Sequence, residues 1–227
     1  MHAATFLWEL GAFFVYFLYT SFFEWTLHRY VFHTPKYIYS MFRKHTLVHH
    51  QIYKGDDTYC TEDEHPESVP MNWWALPMMI LIHLPLFVGV QYFTGIPSLW
   101  GAIIALSLYY GLYESLHWSM HVPRAAKFLS QFRVYRFLDD HHHVHHKYML
   151  SNLNVILPVP DLLFGTLRDR DGVKINLRTL MTRKATRRAA LKQAQPIAQS
   201  PAVPTPLVPT PLATRPRKLA ATETGRP

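Results

Sequence analysis

One cysteine, Cys60, stands in a chain of 227 residues, so no internal disulfide can form and a cysteine-based zinc site is excluded. Only 9 glycines occur, and none belongs to a Gly-rich phosphate loop for a nicotinamide or a flavin. Basic residues are missing from two long stretches: no Lys or Arg precedes Arg29, and none lies between Lys54 and Arg124. The apolar start carries Glu9 and shows neither a basic lead nor a small-residue cleavage site, so a cleavable signal peptide is not expected. Positive charge is concentrated instead at the other end. Residues 1–167 hold 10 Lys+Arg against 12 Asp+Glu, whereas residues 168–227 hold 13 against 3, so the formal +8 comes entirely from the tail. No basic patch runs through the rest of the chain, which argues against nucleic acid as a partner. A tail beside anionic lipid accounts for the charge more simply.

Long apolar runs are what the chain has in their place. Three are long enough to span a bilayer as helices, which takes roughly 20 residues: about Ala3 to Trp25, Trp73 to Phe93 and Leu99 to Leu116. The short TGIPS turn makes the last two a helical hairpin, and Pro77 and Pro85 are expected to kink the second span. If the first span runs outside to inside, both basic regions face the cytosol, as the positive-inside rule requires. Residues 124–138 place Phe128, Phe132, Tyr135 and Leu138 three and four apart, the pattern of an amphipathic helix at the membrane interface. The expected fold is all-α: an integral-membrane helical bundle of about three to four spans with a cytosolic histidine-rich helical cap. We divide the chain into a membrane-embedded domain (1–170), a basic segment (171–184) and a tail (185–227) rich in Ala, Pro, Thr and Arg, whose composition is that of a disordered segment.

With that topology the 15 histidines fall into place. HRYVFH (His28, His33) ends the first span, HTLVHH (His45, His49, His50) follows it, HWSMH (His117, His121) ends the third, and HHHVHH supplies His142, His145 and His146. All lie at one edge of the membrane. Positions four apart share a helix face, so His45 with His49 and His117 with His121 can each serve one metal. The adjacent pairs His49–His50 and His145–His146 diverge, which suits a bridge between two centres. Ten imidazoles exceed what one ion takes and are enough for two. Imidazole suits Fe, Zn, Cu and Ni alike, so the donor type does not choose the metal.

The ordered clusters HRYVFH, HTLVHH, HWSMH and HHVHH, with the closing segment SNLNVILPVPDLLFGTLR, resemble the integral-membrane fatty acid hydroxylase and sterol desaturase superfamily over roughly residues 5–170. The resemblance implies an oxidoreductase with two non-haem iron ions (zinc able to substitute) that uses O₂ on a lipid C–H bond. Hydroxylation and desaturation, and acyl, sterol and carotenoid substrates, are all compatible with it. Lacking a nucleotide loop, such a protein takes its electrons from an NAD(P)H-linked external carrier, a ferredoxin or a cytochrome b-type protein with its reductase. Its partners are then a lipid with an alkyl or isoprenoid chain, the membrane and that carrier. The chain departs from the family in two places. Three residues separate His45 from His49–His50 where many members have two, and the last cluster offers both His141 and His142 as its first ligand. The family's gap favours His142, and symmetry with HTLVHH favours His141; His142 is the expected ligand and His141 the alternative.

Glu24, Glu114, Asp139, Asp140, Asn152 and Asn154 are candidates for orienting imidazoles from behind, with a turn or cap as the competing reading of each Asp and Asn. His83, in mid-span, matches no cluster and is read as a neutral side chain hydrogen-bonded to a neighbouring helix, and His2 and His65 as solvent-exposed. Two other classes compete with an enzyme, a histidine-rich metal transporter or store and a b-type haem electron carrier. The first needs ligands at mid-bilayer and the second needs only two axial histidines per haem. Deleting residues 186–227 is expected to leave activity in membranes nearly intact. Loss of activity in a truncation that still inserts at the normal level would refute the reading of the tail.

Overall fold

The computed structural model describes residues 3–61 and 71–182, all within one compact unit, Met1–Lys184. The tail reading and the expected exposure of His2 and His65 fall outside the described residues. Among the described residues eight α-helices and two π-helical segments build the fold, and no strand occurs. The chain is an all-α membrane bundle.

α1 (Ala3–Leu27) runs without a break into a π-helical segment (His28–Phe32); α2 (Tyr39–Phe42) leads into a second one (Arg43–His49), closed by α3 (His50–Ile52). The long pair α4 (Ala75–Thr94) and α5 (Leu99–His121) follows, then α6 (Pro123–Leu129), α7 (Arg133–Lys147) and α8 (Val159–Leu163). Among the described residues two helices, Ala3–Phe32 and Ala75–Thr94, are long and apolar enough to cross a membrane. α5 has 23 residues and is the most enclosed of the three. Lipid-facing side chains are left bare along the bundle, among them Leu7, Phe14, Val15, Leu81, Ile82, Tyr92 and Phe93. Such a surface in water would be an aggregation liability.

α5 holds the bundle together with one face. Gly101, Ala105, Tyr109, Tyr113, His117 and His121 recur every four residues and all are buried. Small residues fill the N-terminal end of that face, tyrosines its middle and histidines its C-terminal end. Between transmembrane helices there is no hydrophobic drive, so close backbone approach through small residues supplies the packing. A Cβ built on Gly101 would lie 2.2 Å from the Glu9 carbonyl oxygen and 2.9 Å from the Phe13 nitrogen. Gly101→Ala is therefore expected to lower stability by about 1–3 kcal/mol through overpacking, measured as a reduced thermal midpoint in detergent. An unchanged midpoint would show that α1 and α5 can separate at no cost. The amides that open α5 have no helical acceptors. Gln91 Oε1 accepts the Ser98 and Leu99 N–H groups at 2.9 and 3.0 Å, and Glu9 accepts that of Gly101 at 2.7 Å.

The structure differs from the sequence reading in three local respects. Pro77 lies in the first turn of α4, where its missing N–H breaks no bond; only Pro85 is interior. The helix expected over 124–138 is split at Phe132, whose backbone is extended, and Arg136 Nη1 donates to the Ser130 and Gln131 carbonyls at the break. His83 donates to the Met79 carbonyl of its own helix at 2.7 Å, and its contact with the neighbouring helix is aromatic, against Phe23 and Tyr19 of α1.

Candidate metal centre

Ten imidazoles converge at the end of the bundle where α1 and α5 finish. They form two groups of five, within each of which the candidate donor atoms all lie inside 4.8 Å of one another. The first comprises His28, His33, His45, His50 and His145; the second comprises His49, His117, His121, His142 and His146. No carboxylate enters either group, so Glu24 and Glu114 do not form a ferritin-like site. The adjacent pairs do divide as expected: His49 and His146 go to the second group, His50 and His145 to the first.

One pairing differs from the sequence reading. His45 does not join His49, four residues on, but His50, five residues on. The cause is the π-helix. The His50 N–H bonds to the His45 carbonyl, and the His33 N–H bonds to the His28 carbonyl. In a five-residue hydrogen-bonded turn, positions i and i+5 share a face, and these are the pairs in the first group. α5 and α7 are ordinary α-helices, so His117 with His121 and His142 with His146 pair at four. The extra residue in HTLVHH is thus absorbed as a π-turn, a form that accounts for well under 1% of residues and gathers at functional sites.

The inner nitrogens sit at ligand spacing. Nε2–Nε2 distances in the first group are 2.9 Å (His28–His45), 3.2 Å (His45–His50), 3.1 Å (His50–His145) and 3.2 Å (His33–His145). In the second they are 3.2 Å (His49–His146), 3.0 Å (His142–His146) and 3.1 Å (His121–His142), and His117 Nε2 is buried with no hydrogen-bond partner. Two nitrogens bound at right angles at about 2.1 Å from one ion lie about 3.0 Å apart.

The outer nitrogens fix which way the lone pairs point. His28 Nδ1 faces the Leu153 carbonyl at 2.5 Å, His145 Nδ1 that of Ser151 at 2.9 Å, His121 Nδ1 that of Tyr59 at 2.8 Å and His146 Nδ1 that of Tyr53 at 2.5 Å. A carbonyl only accepts, so each Nδ1 carries the proton and each Nε2 presents a lone pair. His33 Nδ1 donates to Thr46 Oγ1 at 3.0 Å, a hydroxyl already spending its own proton on the Phe32 carbonyl. His33 and His145 therefore point lone pairs at each other across 3.2 Å with no proton between them. A cation resolves that repulsion, and the donor set fits a metal.

Burial and the neighbouring His145 push His33 down to about 2, and burial pushes His145 down to about 4 against the pull of the Ser151 carbonyl. Both stay neutral far below the ordinary 6.5. The unfolded chain takes up protons near 6.5 that the folded site refuses, so stability is full above that pH and falls between about 6.5 and 4. We expect acidification from pH 7 to 5 to release metal and lower the thermal midpoint together. A flat profile over that window would contradict the burial of neutral imidazoles.

The remaining candidates lie behind the groups. His142 belongs to the second group, whereas His141 Nε2 lies 3.3 Å from Asp161 Oδ2 and joins neither. His143 lies against the Tyr59 ring. Glu24 accepts the Tyr109 hydroxyl, the Val155 N–H and the Asn154 amide rather than an imidazole. Glu114 accepts the Met71 N–H, and Asp140 pairs with Arg170 at the surface. Asn152, at φ 53°, donates to the His141 and Arg168 carbonyls; Asn154 donates to the Ser21 carbonyl and to Glu24. Asp161, missed by the sequence reading, is fully buried and accepts the Leu153 and Asn154 N–H groups at the centre of the 151–155 loop. Burial raises its carboxyl, yet hydrogen bonds from His141, Thr166 and Asn154 hold it below the usual carboxylate range. Its only sequence signal was its place in DLLFGT.

An apolar cavity lies between α1, α4 and α5. Thr20, Phe23, Met79 and Leu106 line it away from the histidines, and Phe32 and Tyr113 line it beside them. The Phe32 ring packs on His28 and His45, and the Tyr113 ring on His117, so one aromatic ring stands between the cavity and each group.

Fold and site together define an integral-membrane polyhistidine protein. The fatty acid hydroxylase family profile matches residues 13–166, about two thirds of the chain, and the chain belongs to that family. No curated protein and no solved structure matches it. Membership implies an oxidoreductase, a membrane lipid hydroxylase or desaturase.

Proposed function

We propose that each histidine group holds one iron ion and that the protein uses O₂ to hydroxylate a C–H bond of a membrane lipid. The observation that carries this reading is the sorting of ten imidazoles into two groups of five at ligand spacing. The family is typically iron-dependent, and zinc would bind the same imidazoles. The bound metals would supply the activation of O₂. For hydroxylation, one oxygen atom enters the C–H bond and the other leaves as water, with two electrons and two protons supplied from outside. An NAD(P)H-linked ferredoxin or cytochrome b-type carrier is the proposed donor.

The chain's own residues hold and shield. Backbone carbonyls fix four imidazole tautomers, and burial excludes water. The cavity offers an alkyl or isoprenoid chain a route from the bilayer to a point beside both groups. Basic residues flank the histidine end, so we place that end and the tail in the cytosol, with α1, α4 and α5 as three crossings. A transporter would need further ligands beside His83, and among the described residues neither group of metal-ligating side chains includes it.

Membranes containing the protein, a carrier system and oxygen-18 gas test the reading. We expect a lipid product with one labelled oxygen. A new double bond without label would assign desaturation instead, and no O₂-dependent change in lipid would overturn the proposal.

A further inference from the structure

The two groups are oriented by different pieces of backbone. In the first, His28 and His145 donate to the Leu153 and Ser151 carbonyls. In the second, His146 and His121 donate to the Tyr53 and Tyr59 carbonyls. Among these contacts, no carbonyl serves both groups.

The loop behind the first group is pinned by Asp161. Its Oδ1 accepts the Leu153 N–H at 2.9 Å and the Thr166 hydroxyl at 2.6 Å, and its Oδ2 accepts the Asn154 N–H at 2.9 Å. His141 Nε2 approaches the same Oδ2 at 3.3 Å. The residue is 0% exposed, as are Leu153 and Asn154. A carboxylate is the one side chain of this size that can accept on both oxygens at once. Asparagine at this position would turn a donor toward one of the two amides and release half the loop. The Leu153 carbonyl that aims His28 would move with it.

Resting on the proposed two-ion reading, we infer that Asp161 is a positioning residue for the first group alone, so that the two ion sites are built and lost independently. Residues behind metal ligands are worth roughly 10- to 100-fold in affinity, and here that effect falls on one site of two.

The test is metal content and competition of the full-length, detergent-solubilised protein, loaded anaerobically with Fe(II). Wild type should hold two ions per chain, and a wild type holding one or none would sink the two-ion reading itself. Asp161→Asn should hold one. Adding His33→Ala to it should cost nothing further, and adding His142→Ala should remove the last ion. A folded Asp161→Asn protein that keeps both ions, or loses both, overturns the inference. If that variant does not fold, Thr166→Val decides, since it removes the hydroxyl that donates to Asp161 and accepts from Trp25 Nε1 while leaving the carboxylate in place. One site should then weaken by about tenfold while the other is unchanged, and equal weakening at both sites overturns the inference.

Discussion

Changing His142, His145 or His146 singly to alanine is expected to lower turnover in membranes at least about a hundredfold, while His143→Ala keeps most of it. The five histidines of HHHVHH are not equivalent in space. His145 serves the first group, His142 and His146 serve the second, and His143 leaves both for the Tyr59 ring. His141→Ala should fall between, because His141 touches Asp161 and through it the 151–155 loop. A loose metal-catching tract would lose function in proportion to the histidines removed, whichever they were. Equal, mild losses across all five, normalised to inserted protein, would return the stretch to that reading.

Closing the cavity is the second large effect. Met79 of α4 lines it away from the histidines, and Phe32 and Tyr113 line it beside them. Met79→Trp should reduce turnover on membrane lipid by roughly tenfold to a hundredfold, as displacement of a substrate from its reactive geometry does, with both ions retained. The pairing of the two readouts matters. Metal lost along with turnover would mean the bundle had been disturbed, whereas full turnover would mean the chain reaches the histidines by another route.

Much of this arrangement could be read from the residues because the bilayer simplifies the problem. Apolar length fixed the long helices, and the charge gaps around Arg29, Lys54 and Arg124 suggested that the histidine clusters share one edge. Even the division of His49–His50 and His145–His146 followed from the roughly 100° that separates adjacent helical residues. The pairing of His45 was misread because an α-helical period was applied to a π-helical turn. The clue was the extra residue in HTLVHH, which no periodicity count registers as a change of helix type. Asp161 was missed for another reason. Its partners are the backbone amides of Leu153 and Asn154, and a bond to a backbone amide leaves no mark on the sequence of its partner. Glu24 shows the converse: its spacing from His28 suggested contact with the ring, but its carboxylate turns to Tyr109, Asn154 and Val155.

The most direct measurement is the metal content of the purified full-length chain and of two single variants, one from each group. With anaerobic Fe(II) loading, wild type should bind two ions without a Soret band. His33→Ala and His117→Ala should each retain about one, and the double variant none, since each removes a ligand from a different group of five. A wild-type protein that holds one ion or fewer, or that carries haem, would contradict the account.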